Sequence, residues 1–93
     1  MFDRILSRMR EKVRRREYVV TLHARLEMRV DNFMVYDVER GILTGTILER
    51  QPDRQTGESK YRVKGVTISG SSIELVAKFS PTGKLIIITV YEP

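Results

Sequence analysis

One imidazole carries most of the chemistry this sequence offers. His23 is the only histidine. Glu27 and Asp31 follow at i+4 and i+8, the spacing that stacks side chains along one helix face. A carboxylate beside an imidazole orients the ring and fixes its tautomer, as general acid–base work requires. A second reading stays open: His23 as a half-buried packing residue, with Glu27 as an ordinary helix ion-pair partner. The same stripe offers three metal ligands only if the helix runs on through Asp31, where a break is expected. With no second histidine and no cysteine, neither a metal nor a cofactor is expected.

Around that pair stand residues suited to an anionic substrate. Arg25 and Arg29 form another i, i+4 pair on a different face of the same helix, and arginine presents a planar fork to phosphate oxygens. Lys60, Arg62, Lys64 and Lys78 add positive charge to the second half of the chain. Tyr61 and Tyr91 offer rings for base stacking; Tyr61 reads equally well as a strand packing residue, and Tyr91 as an amphipathic cap to the last strand. Thr89 interrupts an apolar strand. Its hydroxyl either orients a substrate phosphate or belongs to a β-branched strand former satisfied locally. The catalytic candidates are therefore His23, Glu27, Thr89 and Tyr91. The candidates for binding phosphates and bases, which the resemblance described below makes RNA-binding residues, are Arg25, Arg29, Lys60, Tyr61 and Lys78. No glycine-rich phosphate loop, nucleophilic triad or zinc spacing is present.

The charge pattern agrees. The net charge is +5. Residues 1–30 hold nine basic and four acidic residues, and residues 31–93 hold eight of each, so the whole surplus lies in the first third. It suits nucleic acid, an acidic protein or a membrane surface, or it is simply a solvated basic face. The absence of cysteine excludes disulfides and thiolate metal sites. Charged residues interrupt every candidate leader segment, and the longest apolar run, Leu85 to Ile88, is far short of a membrane span. No membrane role is expected, and a cytoplasmic location follows by elimination.

The elements that must position these residues follow from periodicity. Phe2, Ile5, Leu6, Met9 and Val13 form one helical stripe, with Asp3 as its expected N-cap. Tyr18 to Val20 breaks that pattern and reads as extended. Thr21 is placed to cap a second helix through about Val30. Asp31 or Asn32 is expected to cap a third that ends near Gly41 to Gly45. After Gly45 the period becomes two. Strands are expected at Thr46 to Arg50, Lys60 to Ile68, Ser72 to Phe79 and Leu85 to Tyr91, separated by polar turns. Ninety-three residues suffice for a single domain, 1–93. The expected class is α+β, with N-terminal helices packed on a roughly four-stranded antiparallel sheet. A domain this small makes a homodimer a natural expectation.

A longer pattern adds a resemblance. Thr21-x-His23-Ala24-x-x-Glu27-Met28-x-x-Asp31 is followed by Asp37-Val38 and Gly41-Ile42-Leu43-Thr44-Gly45. Then come Lys60-Tyr61-x-Val63-x-Gly65, Ser80-Pro81-x-Gly83-Lys84-Leu85 and Ile87-Ile88-Thr89-Val90-Tyr91. Over residues 18–92 the chain resembles a family of small bacterial proteins known as a domain of unknown function and common in cyanobacteria. That family looks related to RelE/ParE-like and colicin-nuclease-like toxins. The resemblance implies a RelE-like fold, a toxin-like role with metal-independent endoribonuclease activity, and a zinc-finger antitoxin similar to MqsA as partner. Many members of the family carry arginine where this chain has Glu27 and Asp31, so its motif is an acidic variant. The same fold stripped of its chemistry, serving as a non-catalytic interaction module, is the alternative.

Overall fold

The computed structural model describes all 93 residues, in the order α1 (Asp3–Arg14), β1 (Tyr18–Val20), α2 (Leu22–Val30), α3 (Val35–Thr44), β2 (Thr46–Pro52), β3 (Ser59–Val66), β4 (Ser72–Phe79) and β5 (Leu85–Tyr91). The five strands form one sheet in the order β1-β5-β4-β3-β2. Strands β2 to β5 are an antiparallel meander joined by short turns, as alternation and turn chemistry predict. The fifth strand corrects the expected four-stranded antiparallel sheet. Tyr18–Val20 is extended as expected, but it joins the sheet by pairing parallel to β5. A three-residue strand has too little alternation to reveal its sheet neighbour, and the sheet is therefore mixed.

The helix boundaries have local causes. Residues Arg16 and Asn32 take positive φ values of 58°, which turns the chain out of α1 and α2. Thr21 caps α2 as expected: its Oγ1 accepts the Ala24 N–H at 3.1 Å. The other two caps differ from expectation. Phe2, not Asp3, precedes α1. Met34, not Asp31 or Asn32, precedes α3, and the Asp37 carboxylate supplies the cap by accepting the Met34 N–H at 2.9 Å.

One sheet face is covered by the helices. Met9, Val38, Ile42, Val63, Ile73, Leu75, Ala77, Leu85, Ile87 and Val90 are fully buried there. Helix α3 sits unusually close to β3, because a Cβ on Gly65 would lie 2.1 Å from the Gly41 carbonyl oxygen. Arg10 of α1 ties the end of α3 by donating to the Ile42 and Gly45 carbonyls at 3.2 and 2.9 Å. The opposite sheet face carries Glu49, Arg62, Glu74 and Lys78, with half-buried Val76, Ile86 and Ile88. No helix is long and apolar enough to cross a membrane.

Candidate functional site

Strand β1 ends at Val20, so the edge of β5 beyond Ile87 has no strand beside it. Its main-chain groups still need partners, and α2 supplies them from side chains. Thr21 Oγ1 donates to the Ile88 carbonyl at 3.1 Å. Glu27 Oε1 accepts the Val90 N–H at 3.1 Å, and Asp31 Oδ2 accepts the Glu92 N–H at 3.0 Å. Helical spacing of four at positions 27 and 31 thus matches strand spacing of two at positions 90 and 92. The helix replaces a missing strand.

This docking assembles the predicted centre. Glu27 Oε1 also accepts the Thr89 hydroxyl at 3.0 Å. His23 Nε2 lies 3.3 Å from the same oxygen, and the imidazole side chain is 69% exposed. The packing reading of His23 is therefore set aside: the ring stands in solvent, and its carboxylate partner is anchored by two bonds from β5. Thr89 contributes its hydroxyl to that anchoring.

Beside the centre, on the helix-free sheet face, lies an open groove of about 640 Å³. Thr21, two residues before His23, lines one end; Arg54 and Lys60 of the β2–β3 hairpin line the other, with Lys78 between and Ile86 and Ile88 as an apolar floor. Lys60 and Arg54 have no carboxylate within ion-pair distance, whereas Lys78 is engaged by Asp53 at 3.3 Å and Glu58 at 3.8 Å. The Gln55 N–H and then Lys78 hold the Asp53 carboxyl below its ordinary pKa. Arg62 bridges Glu49 at 2.8 Å and Glu74 at 3.1 Å. Gln51 and Arg62 together lower the Glu49 pKa. Tyr91 lies across from Glu74, and burial followed by Glu74 pushes its phenol pKa up.

The predicted residues therefore divide. His23, Glu27 and Thr89 meet directly, and Lys60, Lys78 and Tyr91 share the open sheet face with them. Arg25 lies on another face of α2, its Nε donating to the Val20 carbonyl at 3.4 Å, and Arg29 is exposed without an ion pair. Neither joins the groove. Tyr61 is buried on the helix-covered face, edge-on to Phe2 at 6.1 Å between ring centroids, so its ring is closed to stacking. The metal stripe does not converge: Asp31 ends α2 and turns to Glu92, and no three His, Cys, Asp or Glu side chains cluster to hold an ion. Sequence reasoning missed Arg54. It sits in a polar hairpin loop without periodicity, and only the curl of the hairpin brings it to the groove.

A family model described as Domain of unknown function (DUF4258) matches residues 20–92. That span runs from the end of β1 through β5 and holds every member of the centre. Comparison with curated proteins and with solved structures returns no match.

Proposed function

We propose that this chain, which belongs to the DUF4258 family, is a toxin-like endoribonuclease that works without a metal, its activity held in check by a small zinc-finger antitoxin. The observation that carries the reading is the exposed His23 ring, 3.3 Å from a Glu27 carboxylate that β5 locks in place. A carboxylate at Nε2 keeps the proton on that nitrogen and leaves Nδ1 as the acceptor. An RNA strand laid along the groove brings a ribose 2′-hydroxyl to Nδ1. The 2′-oxygen attacks the adjacent phosphorus as His23 takes its proton. The P–O5′ bond breaks, and the departing oxygen is protonated from solvent. The products are a 2′,3′-cyclic phosphate and a 5′-hydroxyl. Lys60 and Arg54, free of carboxylates at the far end of the groove, hold phosphates further along the strand, and Ile86 and Ile88 offer a base an apolar floor.

The test is cleavage of a single-stranded RNA oligonucleotide in the presence of a chelator. Losing a positioned acid–base group slows such reactions by about 10² to 10⁴-fold, and that is the loss expected for His23→Ala. If the wild-type chain leaves every RNA sequence intact, the proposal fails.

One observation favours the second reading, a non-catalytic interaction module. Lys78 and Arg62, the two most central cations of the open face, are already matched by four carboxylates. Under that reading the groove binds a partner, and His23→Ala leaves growth inhibition and complex formation unchanged.

A further inference from the structure

Away from the groove, β1 forms the outer edge of the sheet. The ladder to β5 uses the odd-numbered residues: the Leu85 N–H donates to the Glu17 carbonyl and the Thr21 N–H to the Ile87 carbonyl. Tyr18 and Val20 therefore turn their main-chain groups the other way. The Val20 carbonyl accepts from Arg25, while the Tyr18 N–H, the Tyr18 carbonyl and the Val20 N–H have no main-chain partner. A cleft of about 390 Å³ runs along this edge, lined by Arg16, Val19, Arg25 and Val35. Neither arginine has a carboxylate partner; Arg15, one residue earlier, is paired with Glu11 at 2.7 Å. The neighbouring carboxylate, Glu39, already accepts the Tyr18 hydroxyl. Next to the cleft, Leu22, Leu26 and Val30 lie at i, i+4 and i+8 on α2 and are 73%, 52% and 81% exposed, an apolar stripe turned away from the core.

We infer that the free edge of β1 is a docking site for an extended acidic segment of a partner protein, which adds to the sheet as a sixth strand. Open N–H and C=O groups at an edge supply the main-chain bonds of such an addition. Val19 receives its apolar side chains, and Arg16 and Arg25 receive carboxylates from the alternate positions. The charge selects the occupant. A second copy of this chain pairing edge to edge brings Arg16 and Arg25 of both chains together, and like charges across a ladder oppose pairing. The inference does not depend on catalysis at His23, which lies on a different face of α2 from Arg25.

The experiment titrates the labelled chain with a capped octapeptide of alternating valine and glutamate, and with its valine–lysine counterpart. Amide shifts and hydrogen exchange at Tyr18 and Val20 are followed by NMR. The acidic peptide is expected to protect both amides and the lysine peptide neither. In R16E/R25E, checked for folding by circular dichroism, acidic-peptide affinity is expected to fall about tenfold and the preference to reverse. His23→Ala is expected to bind as wild type, which separates this site from the catalytic reading. Equal binding of both peptides by the wild type, or no response at β1, overturns the inference whatever the variant does. So does protection of the same amides by self-association or by an RNA oligonucleotide in place of the acidic peptide.

Discussion

Replacing Glu27 by alanine should loosen the joint between α2 and β5, and the geometry sets the size of the effect. The carboxylate accepts the Thr89 hydroxyl at 3.0 Å and the Val90 N–H at 3.1 Å. Hydrogen bonds to an ionised group contribute about 1.5–3 kcal/mol each when dry. The Glu27 side chain is 29% exposed, so water takes up part of what is lost, and a net cost of about 2 kcal/mol is expected. For a domain of this size that lowers the melting temperature by about 10 °C. Glu27→Gln retains an acceptor oxygen in the same place and should cost about half as much. His23→Ala removes an exposed ring and should stay within about 0.5 kcal/mol. Circular dichroism melts at neutral pH measure all three. An alanine variant that melts with the wild type, or a glutamine variant as damaged as alanine, would refute the claim that Glu27 substitutes for a missing strand.

Three further outcomes are expected. Gly65→Ala forces a methyl group onto the Gly41 carbonyl and should cost more than about 3 kcal/mol by parting α3 from β3; denaturant titration measures it. The Tyr18 phenol is raised to about 12 by burial and by its bond to Glu39, so above its ordinary pKa the folded chain holds a proton that the unfolded chain releases. Stability should therefore fall as pH rises from 10 toward 12, and Tyr18→Phe should reduce that slope and shrink the high-pH step in phenolate absorbance by one tyrosine, leaving the part due to Tyr91. Neutralising Lys60 and Arg54 together should lower single-stranded RNA affinity and shallow its log–log salt slope by about 1.4, read from binding at several ionic strengths.

Much of this arrangement is legible in the sequence because it is local. The stripe from Phe2 to Val13, the cap at Thr21 and the alternation of Tyr61, Val63, Ile73, Leu75 and Ala77 are short-range patterns, and each forms the expected element. The His23–Glu27 pair is legible for the same reason, since helix geometry alone dictates it. Non-local pairing is what escapes. Nothing near Tyr18 announces a parallel partner 67 residues further on at Leu85. Thr89 breaks an apolar run in the sequence, yet its bond to Glu27 exists only because β1 stops short. Tyr61 shows the limit of residue type: alternation places it on one of two sheet faces, and only the packing of α1 decides that the face is closed. The carboxylates at positions 27 and 31 have a structural reason, because each accepts a main-chain N–H that an arginine has no lone pair to receive.

The most direct test of the catalytic reading is the chemical identity of the RNA ends. A single-stranded oligonucleotide is incubated with the wild-type chain and with His23→Ala in chelator, and the products are resolved by mass spectrometry, alongside a substrate carrying one 2′-deoxy nucleotide at the cut site. Catalysis by His23 yields 2′,3′-cyclic phosphate ends from the wild type, none from His23→Ala, and no cut at the deoxy position. Cleavage that survives the loss of His23 or of the 2′-hydroxyl, or RNA left whole by the wild-type chain, would contradict it.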